Sequence, residues 1–84
     1  MDTYVELVVK VREYGGAYIA RTGRFQASST SRKDDAIRCA GAKALNAEPK
    51  IAFQVEPKDI VIESCDGTTA KARLYPGKKS EVAK

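Results

Sequence analysis

The sequence predicts an α+β domain: an antiparallel sheet in the order β-β-β-α-β-β, with one helix packed on one face. Three observations predict it. From Val5 to Val11 apolar and polar residues alternate with a period of two, the signature of a half-buried strand. Glycine turns at Gly15-Gly16, Thr22-Gly23 and Asp66-Gly67 separate further short alternating stretches. At Ser31-Arg32-Lys33-Asp34 the period changes to a helical one, and a helix with a small-residue face is useful only when laid on a sheet.

The first strand sends Val5, Leu7, Val9 and Val11 to one face and Tyr4, Glu6, Lys10 and Arg12 to the other, with Val8 an apolar intruder. Gly15-Gly16 turns the chain back through Ala17 to Arg21, and Thr22-Gly23 turns it again into Arg24 to Ser29, where Phe25 and Ala27 share a face. The helix is expected to start at Ser31 as N-cap, with Asp34 and Asp35 meeting the positive end of the helix dipole. Ile37, Ala40, Gly41 and Ala44 recur on its inner side, while Arg32, Asp35, Arg38, Cys39 and Ala42 fall towards the other. Asn46 is the expected C-terminal cap, with Pro49 blocking continuation. Lys50 to Lys58 is expected to be a short extended segment or loop that covers the core with Phe53. A closing hairpin follows, Asp59 to Cys65 and Thr68 to Tyr75, with Ala70, Ala72 and Leu74 alternating against Lys71, Arg73 and Tyr75. The domain is expected to span 1–76, leaving 77–84 as a flexible basic tail.

Composition narrows the function. A chain of 84 residues makes one domain with a thin core, since such a domain buries roughly 60 to 65% of its unfolded surface. No apolar run approaches the roughly 18 residues of a membrane span, and Met1-Asp2-Thr3-Tyr4 lacks the basic start and apolar segment of a secretion signal, so a cytoplasmic location is expected. Cys39 and Cys65 have no CxxC spacing and the chain has no histidine, which argues against a metal site and favours two reduced thiols. Of the net charge of +4, Lys78, Lys79 and Lys84 against Glu81 place half in the tail. The rest is sparse for a committed phosphate binder.

Catalysis is not expected. Without histidine, a serine, cysteine or threonine nucleophile would need a buried lysine or carboxylate as base, and no such pair is marked. The glycines lack the GxGxxG or GxxxxGK[ST] context of a phosphate cradle. No cofactor is implied. Strand parity instead suggests a contact surface, because Tyr4, Tyr14, Tyr18 and Tyr75 are expected on the outward face beside Lys10, Arg12, Lys71 and Arg73. Tyrosine offers large contact area at small entropic cost, and arginine offers planar hydrogen bonding. The candidate partner-binding set is Lys10, Arg12, Tyr14, Tyr18, Arg24, Lys71, Arg73 and Tyr75. The same face could stack unpaired bases while its cations meet phosphates.

Two resemblances bear on this. Ala27-Ser28-Ser29-Thr30-Ser31-Arg32-Lys33, leading into Ala36 to Leu45, resembles the end of a double-stranded RNA-binding domain, and implies a phosphate-facing role for Arg32, Lys33 and Lys43. Asp34 and Asp35 interrupt that basic run. Over most of its length the chain resembles small phage-encoded anti-CRISPR inhibitors. The likeness is carried by Gly16-Ala17-Tyr18-Ile19-Ala20-Arg21, the polar run Ala27 to Ser31 and the alanine-rich helix through Leu45. It implies a non-enzymatic inhibitor, in the cytoplasm of a host bacterium, that occupies a protein surface of a CRISPR-Cas surveillance complex as a monomer or dimer. The alternative is a small nucleic-acid-binding module using Lys10, Arg12, Tyr18, Lys71 and Arg73. Membrane association is not expected in either case.

Overall fold

In the computed structural model, which describes residues 4–49, 51 and 53–75, the chain builds β1 (Val5–Tyr14), β2 (Ala17–Thr22), β3 (Phe25–Ser29), α1 (Lys33–Asn46), a 3-10 turn (Pro57–Asp59), β4 (Val61–Asp66) and β5 (Thr69–Leu74). The five strands form one antiparallel sheet in the order β3-β2-β1-β5-β4, with α1 on one face. This is the α+β architecture that the change of period implied. The expected domain boundary at residue 76 and the tail 77–84 lie outside the described residues.

β1 organises the sheet. Its first part, Val5 to Lys10, pairs with β5, and its last part, Lys10 to Tyr14, pairs with β2. Each flanking strand belongs to a hairpin, so the two hairpins hang on β1 in a staggered arrangement and meet at Lys10. An elongated body of 41 × 21 × 21 Å results. Just past the ladder, the Val11 N–H donates to the Thr68 carbonyl at 2.7 Å, joining β1 to the β4–β5 turn.

The turns set the register. Gly15 and Gly16 have φ of 59° and 81°, the doubly positive conformation of a two-residue hairpin loop whose twist matches the strands it joins. The other two loops sit one residue later than expected, at Gly23-Arg24 and Gly67-Thr68. Thr22 and Asp66 stay in their ladders opposite Phe25 and Thr69.

The inner face of the sheet carries Val9, Val11, Ala20, Ala27, Ala70, Ala72 and Leu74, all buried, with Val5 and Leu7 half-buried at the margin. Against it α1 places Ala36, Ile37, Ala40, Gly41 and Leu45. Ala42 is buried as well and Cys39 is half-buried against the core, contrary to the outward placement expected for both. The reason is a second cover. The segment after the helix brings Val55 and Ile60 into the core and packs Ile51 and Phe53 against it, widening the buried arc of the helix. Phe53 covers the core as expected, but Val55, at 2% exposure, is seated deeper.

Both helix ends depart from expectation. The helix begins at Lys33 with Arg32 as N-cap, and Ser31 does not cap it. Ser29 intervenes: its hydroxyl accepts from the N–H groups of Ser31 and Arg32, both at 3.3 Å, closing a local side-chain turn before the helix starts. Asn46 is the last helical residue, and its side chain does not serve the helix end. Its amide donates to the Val55 carbonyl at 2.9 Å and its carbonyl accepts from the Val55 N–H at 2.6 Å. One side chain thereby supplies both hydrogen bonds of a strand partner and pins the covering segment to the helix.

Candidate functional site

Residues directly opposite in a ladder share a face, so register decides what the outer side of the sheet presents. β1 contributes Tyr4, Glu6, Val8, Lys10, Arg12 and Tyr14, and β5 contributes Thr69, Lys71, Arg73 and Tyr75. β2 contributes Ile19, opposite Arg12, and Arg21, opposite Lys10, while β3 contributes Gln26 and Ser28. Tyr18 must therefore be moved. It stands opposite Glu13 and Ser29 on the helix side, half-buried against the core, because the two-residue Gly15-Gly16 loop pairs Tyr14 with Ala17 and so sends Tyr18 inward.

The outer face divides at Lys10 into two halves of different chemistry. Towards β4, Arg73 is neutralised: its Nε lies 3.2 Å from Glu6 Oε2 and its Nη1 lies 3.0 Å from Glu63 Oε1. The Tyr75 hydroxyl donates to Glu63 Oε1 at 3.2 Å. Above Arg73 sits the Tyr4 ring, 4.2 Å from the guanidinium carbon, and the Tyr4 and Tyr75 rings are 5.7 Å apart. Glu63 reaches this cluster because a register shift between Ile62 and Ser64 inserts it as an extra residue in β4. These partners hold the guanidinium above the ordinary arginine range, hydrogen bonding with Tyr75 contributing most and with Glu6 next. Arg73, Tyr75 and Tyr4 are thus engaged with one another.

Towards β3 the face is basic and unneutralised. Lys10 and Arg21 are directly opposed and Arg12 follows Lys10 on the same side of β1, while on the β5 side Lys71, opposite Val8, extends the basic surface past β1. All four are exposed, and among the described residues none of them enters an ion pair. Lys10 Nζ donates to Thr69 Oγ1 at 2.9 Å, and Arg21 Nε donates to the Gly23 carbonyl at 3.2 Å. Both contacts hold a stem in place and leave the charge intact. The carboxylate in the same row, Asp66, is two strand spacings from Lys10, about 10 Å away. Between the cations the face is concave. A groove of about 610 Å³ is lined by Val8, Lys10, Arg12, Ile19, Arg21 and Gln26, with the Gly23 and Thr68 turns beside it. Val8, 49% exposed, and Ile19 are its aliphatic lining, set on either side of the Lys10–Arg21 pair.

The other candidates are dispersed. Tyr14 is 71% exposed on the outer face, beyond Arg12. Arg24, in the β2–β3 turn, lies over the ring of Phe25 at 5.4 Å, and Phe25 belongs to the helix side. Arg32, Lys33 and Lys43 also belong to the helix side. Lys33 Nζ donates to the Gly67 carbonyl at 3.1 Å, and Lys43 Nζ donates to the Gln26 carbonyl at 3.0 Å on edge strand β3. Arg21, Ile19 and Val8 were absent from the candidate set; counting the register through the Gly15-Gly16 loop would have placed Arg21 opposite Lys10.

Both cysteines are free thiols, Cys39 half-buried and Cys65 exposed. Among the described residues no three His, Cys, Asp or Glu side chains gather to hold a metal ion, and no helix is long and apolar enough to cross a membrane. No family model matches the chain, nor does any curated protein or solved structure.

Proposed function

We propose that this chain is a non-enzymatic binding protein. Like the anti-CRISPR inhibitors it resembles, it would act by stoichiometric occupation of a host CRISPR-Cas surveillance complex, with the basic half of its outer sheet face as the contact surface. The observation that carries this reading is the direct opposition of Lys10 and Arg21, flanked by Arg12 and Lys71 and, among the described residues, paired with no carboxylate. Like charges directly opposite in a sheet are destabilising. The same sheet satisfies Arg73 with two carboxylates one half away, so neutralisation was open to this architecture. A concentrated charge that the fold does not use is suited to an acidic partner, where it speeds encounter and sets orientation.

Nucleic acid is the alternative source of negative charge. Recognition of unpaired bases relies on exposed aromatic rings beside the cations. Here Tyr18 lies on the helix side, Tyr4 and Tyr75 are held in the Arg73 cluster, and Tyr14, at the far end of β1, is the single exposed ring left beside the cations, short of the series of rings on which successive bases stack. That favours a protein partner. The test is co-elution of the purified chain with a type I surveillance complex at about 0.15 M salt, where charges more than about 8 Å apart are largely screened. Co-elution that is lost in Arg12→Glu supports the reading. A chain that elutes separately from the complex, or an Arg12→Glu variant that still co-elutes, refutes it.

A further inference from the structure

We infer that β1 carries a docking edge, Glu6 to Val8, to which an extended segment of the partner protein adds as a further strand; this rests on the reading of the chain as a protein-binding module. β1 pairs with β2 only from Lys10 to Tyr14, so from Val5 to Val9 its β2 side has no ladder partner. Parity fixes which backbone groups point there. The two-residue Gly15-Gly16 loop makes Tyr14 and Ala17 a hydrogen-bonded pair, so the alternate residues Arg12 and Lys10 also turn their N–H and C=O groups to β2. Val8 and Glu6 continue that series. The residues between them serve β5, in step with the Val11 N–H that bonds to the Thr68 carbonyl. Among the described residues no backbone group bonds to Val8 or Glu6 on the β2 side, and both residues are exposed.

Such an edge selects its occupant. Paired N–H and C=O groups recurring about every 6.6 Å are matched by another extended peptide backbone and not by a nucleic acid. A segment that continues the line of β2 beyond the Gly23-Arg24 turn lies antiparallel to β1. Its first residue stands opposite Val8 and faces outward, its second stands opposite Leu7 and faces the helix side, and the third and fourth repeat the alternation opposite Glu6 and Val5. Val5 and Leu7 are half-buried at the margin of the core, so apolar residues suit the second and fourth places. The hydrogen bond from Arg21 Nε to the Gly23 carbonyl draws the guanidinium towards the end of β2, where the segment starts, and among the described residues no carboxylate pairs with it. An acidic residue therefore suits the first place. Opposite Glu6 a neutral residue suits the third, because like charges directly opposed are destabilising.

The test titrates the capped peptide Asp-Val-Thr-Val-Thr into the full ¹⁵N-labelled chain and reads amide hydrogen exchange. In the free chain the Glu6 and Val8 amides are expected to exchange quickly while those of Leu7 and Val9 are protected, and the peptide is expected to protect Glu6 and Val8. N-methylation of the first threonine, whose N–H faces Glu6, is expected to weaken binding at least about tenfold, whereas N-methylation of the first valine, whose N–H points away from β1, leaves it nearly unchanged. Val8→Pro, which removes the open donor and spares the ladder to β5, is expected to abolish binding. Equal affinity of the two N-methylated peptides would overturn the inference, because side chains alone would then suffice, and equal binding of Asn-Val-Thr-Val-Thr would overturn the acidic occupant. Protection of Glu6 and Val8 that rises with chain concentration alone would overturn it in favour of a second copy, and a peptide that protects neither amide would overturn it outright. Failure here, with co-elution of the surveillance complex intact, removes the docking edge and leaves the inhibitor reading standing; the reverse result leaves the edge and removes that complex as its target.

Discussion

Replacing Arg21 by glutamate should make the domain more stable. In the present register Lys10 and Arg21 are directly opposed, with Cβ atoms about 5 Å apart, and like charges so placed in a sheet are destabilising. Reversing one charge converts a penalty of about 0.2 to 1 kcal/mol into a gain of similar size. Arg21→Glu also loses the hydrogen bond to the Gly23 carbonyl, an exposed contact worth about 0.5 kcal/mol. The net expectation is a gain of about 0 to 1.5 kcal/mol, centred near 0.7, which for a domain of this size raises Tm by roughly 4 °C and at most about 8 °C. Arg21→Gln, which removes the repulsion without supplying an attraction, should fall between. Calorimetric melting at low salt measures this directly. The advantage should shrink in 1 M NaCl, where the screening length falls to about 3 Å. A variant that melts below the parent, or an advantage indifferent to salt, would show that the two cations do not repel as their register requires.

Other substitutions probe the frame that presents this face. Asn46→Ala removes both hydrogen bonds to the Val55 backbone and should cost about 1 to 3 kcal/mol in urea unfolding, with Asn46→Asp also destabilising because its carboxylate would face the Val55 carbonyl. Gly41→Ala should stabilise by about 0.5 to 1 kcal/mol through helix propensity, since the added methyl would meet only the side-chain ends of Leu7 at 3.4 Å and Ile60 at 3.6 Å; a lower urea midpoint would mean that those side chains cannot accommodate it. Ile37→Ala, at a fully buried position under the sheet, should cost about 2 to 5 kcal/mol, a large share of the stability of so small a domain. Arg73→Met should lower stability but leave co-elution with the surveillance complex unchanged, because its charge is already spent on Glu6 and Glu63.

The hairpins were legible because glycine pairs and alternation are local signals, and the inner face of β1 followed from its valines without further help. Parity counted from the apolar positions alone puts Tyr18 on the outer face, whereas the ladder puts it inward. In the fold Ile19 lies on the outer face, and the inner place opposite Val11 goes to Ala20, where α1 approaches closely. Register through a two-residue loop outranks hydrophobicity at a single position. The same register puts Arg21 outward, opposite Lys10. The burial of Ala42 and the role of Asn46 could not be seen locally, since both depend on a covering segment that returns to the helix only in three dimensions. Nor could Glu63 be placed, because its reach to Arg73 depends on a bulge that no turn residue announces.

The most direct test of the account is lysine acetylation footprinting of the chain, free and in complex with the surveillance complex, read by mass spectrometry. The outer sheet face as contact surface requires that Lys10 and Lys71 become protected on binding while Lys43 and Lys58 keep their reactivity. Protection at Lys33 and Lys43 with Lys10 and Lys71 still reactive would contradict it, and would turn attention to the helix side of the molecule.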